Sequence, residues 1–124
     1  MKKNLWKIFT ILWASIIIYF SFFTTHQSES SRIFEHQDKA GHVVFYAVLT
    51  YGLIKVYRQE IVLQQPSVIA SIVSFIFGIV IEFIQHYITT NRVGSIMDVL
   101  ANGFGIMLIL LLLKRYPKLF SIKP

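Results

Sequence analysis

The chain has 124 residues, 55% of them hydrophobic, a formal net charge of +6 and no cysteine. That length allows one domain, and the missing cysteines exclude disulfides and thiolate chemistry. The positive balance does not indicate nucleic acid. The basic residues flank long apolar runs and form no stripe on a polar face, so a bilayer surface with anionic lipids is the simpler partner.

Four apolar runs follow one another. The first, 5–23, is broken only by Lys7, and the hydrocarbon core needs roughly 20 residues of helix. Lys2, Lys3 and Lys7 resemble the start of a signal peptide. However, the run is long and Phe22-Phe23-Thr24-Thr25 has no small-x-small cleavage site, so an uncleaved span is expected. A polar stretch, 24–37, comes next; its His26, like the nearby His36, reads as solvated. The second run, 43–57, holds Thr50, Tyr51, Gly52 and Lys55 and is the weakest of the four. It reaches spanning length only if its helix starts near Lys39, which gives 39–57. Arg58, Gln59, Glu60, Gln64 and Gln65 make a short polar link, and Pro66 stands just ahead of the third run. That run, 68–88, is interrupted by Glu82, Gln85 and His86. A tight link at about 87–94 carries Arg92. The fourth run, 93–113, is interrupted by Asp98 and Asn102, and Pro117 stops it because proline cannot continue a helix. The expected architecture is all-α: one domain over 1–124, a bundle of four transmembrane helices.

Basic residues set the expected orientation. Lys2, Lys3, Lys7, Lys55, Arg58, Lys114, Arg115, Lys118 and Lys123, nine of the twelve, fall on one side of a four-span chain. Arg32, Lys39 and Arg92 fall on the other, with Glu29, Glu35 and Asp38. The N and C termini are therefore expected in the cytoplasm.

Ionisable side chains inside spans cost about 2.5–3.5 kcal/mol at the helix centre, so they face protein or water. Asp38 and His42 are four apart and share a face of the second helix, with Lys39 beside them. Glu82, Gln85 and His86 share a face near the outer end of the third. Asp98 and Asn102 share a face in the first turns of the fourth. At about 1.5 Å per residue, Glu82 and Asp98 lie at similar depth, on the order of 10 Å from the turn that carries Arg92. The expectation is one outward-facing polar pocket formed by Asp38, Lys39, His42, Glu82, Gln85, Arg92, Asp98 and Asn102. Tyr46 and Tyr87 would line its rim, and apolar packing would close it below. Gly78, Gly103 and Gly105 would let helices approach closely.

The same residues admit blander roles. Pairs of Glu or Asp with Arg or Lys could simply fix helix register, and Asn102 could serve only as an interhelical hydrogen-bonding group. The pairs Asp38/His42 and Glu82/His86 have a spacing that can present two ligands to a metal. Without a His-Glu-x-x-His signature no metal is assigned, and no cofactor is expected. There is no Gly-rich phosphate loop and no Gly-x-Ser-x-Gly elbow.

The ordered set Asp38-Lys39-x-x-His42, then Glu82-x-x-Gln85, then Arg92 with Asp98, Asn102 and Gly105, resembles the VanZ-like family of small bacterial membrane proteins. The resemblance covers about 38–113. His86 is no part of it, and the glycine often found soon after Gly105 is absent. It implies a multi-pass protein of the bacterial cytoplasmic membrane with the polar residues above as key positions. The family's namesake is linked to low-level resistance to teicoplanin-type lipoglycopeptides. The expected function is binding of a cell-envelope head group, a lipid-linked wall precursor or a lipoglycopeptide. The alternative is an intramembrane hydrolase, with His42 as base, oriented by Asp38, and Glu82 or Asp98 as acid. Transport is disfavoured, since no ionisable residue continues a path inward along the third and fourth spans.

Overall fold

The computed structural model describes residues 4–22, 37–61, 64–88 and 96–117. They form four helices: α1 (Leu5–Phe22), α2 (Gln37–Lys55), α3 (Pro66–Ile88) and α4 (Ile96–Arg115). A five-residue π-helical turn, Val56–Glu60, prolongs α2. Each helix is long and apolar enough to cross a membrane.

The boundaries differ from the sequence expectation in ways that have local causes. The second helix starts at Gln37 and, with its π turn, runs to Glu60. That is about 36 Å of helix, enough for a hydrocarbon core of about 30 Å. The π turn closes when the Ile61 N–H donates to the Val56 carbonyl at 2.9 Å. Pro66 opens α3 rather than preceding it; at the first helical position its missing N–H has no partner to lose. The fourth helix continues two residues past the expected end, to Arg115, and stops ahead of Pro117. Residues 93–95, expected to begin it, lie outside the described residues.

Cross-helix contacts define an up-down-up-down bundle. Trp6 meets Tyr51 edge-on at 5.7 Å and Trp13 meets Phe45 at 5.9 Å, so α1 and α2 are antiparallel. The Thr50 and Ser74 hydroxyls are hydrogen-bonded at 2.9 Å, and Gly78 abuts both Tyr46 and Asn102, which sets α3 against α2 and α4. One residue cluster, Ile17, Tyr46, Leu49, Ile81 and Ile106, draws on all four helices and forms the core.

The second helix is the hub. It packs on α1, α3 and α4, whereas α1 and α4 do not meet among the described residues. It is also the least apolar span, with mean hydropathy 1.3 against 1.7, 2.4 and 2.3 for α1, α3 and α4, and the most buried. These facts share a cause. A helix surrounded by helices need not match lipid, so it can carry polar groups, provided neighbours satisfy them. The outer helices turn Leu12, Phe83, Leu100, Phe104 and Leu111 outward, as a lipid-facing surface requires. At the end opposite His42, the buried Lys55 runs its Nζ over the Trp6 and Tyr51 rings, 5.1 and 5.5 Å from their centroids. The ring faces stabilise that cation where water is scarce.

Glycine sets the α2–α4 distance. A Cβ on Gly105 would overlap the Val43 carbonyl, which is backbone and cannot swing aside. On Gly103 a Cβ would stand 3.4 Å from Phe75, an ordinary contact. Close approach therefore rests on Gly105 and not on Gly103. Gly105→Ala should destabilise the bundle by about 1–3 kcal/mol, the range for overpacking, while Gly103→Ala should change little. Unfolding of both variants in mixed micelles checks this; equal effects would show that α2–α4 packing is not limited at Gly105.

Candidate polar site

The site is built from one helix after another. His42 enters from α2, five residues inside its first residue and therefore about 8 Å down. Glu82 lies near the end of α3, and Asp98 and Asn102 lie in the first turns of α4. All four are buried, Asn102 to 1% exposure. His42, Glu82 and Asp98 each present one donor atom, and these atoms lie within 4.8 Å of one another.

His42 is held on three sides. Its Nδ1 lies 3.0 Å from Asn102 Oδ1. With that amide oxygen as acceptor, Nδ1 carries the ring proton and donates it, which leaves the Nε2 lone pair for the site. Nε2 lies 3.8 Å from Asp98 Oδ2. That is too long for a hydrogen bond but close enough for charge interaction or for a shared ligand. The Tyr46 ring lies nearly parallel to the imidazole, with centroids 6.4 Å apart and planes 8° apart. The Asn102 contact and the neighbouring Tyr46 ring orient the imidazole before any ligand arrives.

The expected pocket needs several corrections. Tyr46 does not line a rim: it is 1% exposed and forms the floor beside His42. Tyr87 is well exposed, as a rim residue would be, and its ring packs against Phe83 of its own helix at 4.7 Å with the planes tilted by 53°. The packing below is not purely apolar. Thr50 and Ser74, both fully buried, form a hydrogen-bonded pair two turns under His42 along α2; Thr50 donates its one hydroxyl proton to the Tyr46 carbonyl at 2.7 Å and so accepts from Ser74. Gln85 is buried, but its amide donates to the Ser21 carbonyl of α1 at 2.7 Å; it joins α3 to α1. Asp38 and Lys39 lie on the first turn of α2, and their side chains, like that of His86, lie outside the described residues. So does Arg92. The role of Tyr46 was readable in principle, since His42, Tyr46 and Thr50 recur every four residues along one face of α2.

The sequence assigns no metal or cofactor, because along single helices its donors fall only in pairs. The structure gathers one donor from each of three. A second feature lies on the bilayer face of α3 and α4. There Ile72, Phe75, Ile76, Gly103, Met107 and Leu110 line a groove of about 350 Å³ with almost no polar surface. It begins about 8 Å along α4 from Asp98, counted as five residues of rise.

The chain matches no family model, no curated protein and no solved structure. The VanZ-like resemblance therefore rests on the residue pattern over 38–113 alone.

The His42–Asn102 contact is the tie between α2 and α4 at this level. Interhelical hydrogen bonds in membranes average about 0.6 kcal/mol and reach about 1.7. His42→Ala, Asn102→Ala and the double variant should show a coupling in that range, the double variant losing less than the sum of the singles. Reversible unfolding in micelles measures it; strictly additive losses would mean the bond contributes nothing.

Proposed function

We propose that the chain is a VanZ-like, multi-pass protein of the bacterial cytoplasmic membrane that binds the polar head of an acylated cell-envelope molecule from the outer leaflet. The observation that carries this reading is the convergence of His42, Glu82 and Asp98, one from each of three helices, within 4.8 Å at one end of the bundle. Three ionisable groups at that depth are costly to insert. A bundle that needed only stability could use apolar residues there, so a ligand is the better reason for them.

The orientation is part of the proposal. The end opposite the site carries nine of the twelve basic residues when the chain spans four times, which supports cytoplasmic termini and an outward-facing site. Carboxylates and imidazole suit a head rich in hydroxyl and amide donors. Lys39 and Arg92 would take its anionic oxygens. The groove between α3 and α4 is apolar, opens toward lipid and starts below the site, so it suits the acyl chain of the same molecule. A lipid-linked wall precursor and a lipoglycopeptide of the teicoplanin type both combine such a head with such a chain. Holding the latter at the membrane would keep it from its target, a route to low-level resistance.

A second reading is an intramembrane hydrolase, favoured by the oriented His42 imidazole beside Asp98. A water between them would be activated by the imidazole, with Glu82 as acid. Glu82→Gln keeps the shape and removes the proton, so it would abolish turnover of a lipid-linked substrate while leaving binding nearly intact.

Binding of a fluorescent lipoglycopeptide and of a lipid-linked wall precursor to the protein in nanodiscs separates the candidate ligands. Asp98→Asn should weaken the true ligand about tenfold, equivalent to about 1.4 kcal/mol, with membrane abundance unchanged. Filling the groove with Gly103→Phe should weaken the acylated form more than a deacylated one. If Asp98→Asn lowers abundance and leaves affinity intact, the polar cluster serves the fold.

A further inference from the structure

We infer that His42, Glu82 and Asp98 form a binding site for one divalent first-row metal ion of the Zn²⁺ or Mn²⁺ kind. The inference stands on donor geometry alone and does not require the head-group reading.

The three donors come from α2, α3 and α4, and all lie within 4.8 Å of one another. Donors about 2.1 Å from a common ion stand about 3.0–3.4 Å apart in tetrahedral or octahedral geometry. His42 Nε2 and Asp98 Oδ2, at 3.8 Å, are close to that spacing. Binding requires the widest separation to close by about an ångström or somewhat more, a movement that rotation about the side-chain torsions of Glu82, Asp98 and His42 would supply.

The donor types select the ion. One imidazole nitrogen with two carboxylate oxygens suits Zn²⁺, Mn²⁺ or Fe²⁺. Mg²⁺ and Ca²⁺ prefer all-oxygen sites, and copper(I) would want sulfur, which the chain offers only as three methionines. Three protein ligands also leave at least one coordination position for water or for an anionic oxygen of a ligand, the arrangement of catalytic and substrate-binding sites rather than of closed structural ones.

The surroundings of His42 match a ligating histidine. Such a residue nearly always donates its other ring N–H to an oxygen, which fixes the tautomer and raises the basicity of the ligating nitrogen. Asn102 Oδ1 supplies that oxygen at 3.0 Å, and the near-parallel Tyr46 ring fixes the plane. The other end of the same amide, Asn102 Nδ2, is buried without a hydrogen-bond partner among the described residues. Asn102 is 1% exposed, so this donor is a second polar group kept dry beside the site.

The alternative is an ion-pair network in which Lys39 or Arg92 serves the carboxylates and no metal binds. Tag-free protein in nanodiscs, stripped with chelator and dialysed separately against micromolar Zn²⁺, Mn²⁺ and Mg²⁺ with no amphiphile added, distinguishes them. Metal content per chain is read by mass spectrometry and affinity by calorimetry. The site predicts one equivalent of Zn²⁺ or Mn²⁺ and a preference over Mg²⁺ of at least a hundredfold. Asp98→Asn and Glu82→Gln should each weaken binding at least tenfold with helical circular dichroism retained. Asn102→Ala, which touches no ligand atom, should weaken it by about ten- to a hundredfold. Substoichiometric metal in the folded wild-type protein overturns the inference. So does an affinity unchanged in both carboxylate variants. Chelator-stripped protein that still binds its amphiphile, with no metal uptake, would reject the metal site and leave the head-group reading standing.

Discussion

A polar side chain inside a bilayer must find its partner within the protein, because the hydrocarbon offers none. That constraint organises this bundle. The second helix carries polar groups that lipid would not accept, so the other helices surround it, and each is joined to it by a hydrogen bond. Trp13 of α1 donates to the Phe45 carbonyl at 2.9 Å. Thr50 reaches Ser74 of α3. His42 meets Asn102 of α4. Apolar packing in a membrane does not discriminate strongly between helix and lipid, so these bonds, with the glycine contacts at Gly78 and Gly105, fix which faces meet.

The same bonds prepare the site. Asn102 both ties α4 to α2 and orients the His42 imidazole, so helix docking also positions the ring. Gly78 brings α3 against Asn102 and Tyr46, and that approach carries Glu82, one turn further along α3, to the level of His42 and Asp98. Gln85 holds the neighbouring end of α3 to α1 through Ser21. A change at any of these positions moves donors relative to one another. Under the readings proposed here, ligand affinity is then sensitive to residues that never touch the ligand.

Much of this was legible in the sequence. Length and hydropathy separate four spans, and the spacing of His42, Glu82, Asp98 and Asn102 from the chain's turns puts them at one depth. Rotation was not legible. Hydropathy tells which segment leaves water but not which azimuth faces which neighbour. That the Gln85 amide nitrogen also ties α3 to α1 was therefore not readable, and Tyr46 read as a rim although it is buried beside His42. Gly103 and Gly105 looked equivalent, yet only Gly105 meets backbone. The low hydropathy of the second run looked like weakness. It marks the most buried of the four spans, a conclusion that needs the neighbours in place. His42, Glu82 and Asp98 read as members of one pocket but not as one donor set, because they are far apart in sequence and no single-helix spacing unites them.

Binding from the outer leaflet requires the site end of the bundle to face out of the cell. The chain has no cysteine, so single cysteines can report on each end without background. Tyr87, exposed near the site end of α3, and Tyr116, exposed just past the far end of α4, are suitable positions. A membrane-impermeant maleimide applied to intact cells should label Tyr87→Cys and spare Tyr116→Cys until the cells are opened. Labelling of position 116 but not 87 in intact cells would invert the bundle and contradict an outward-facing site.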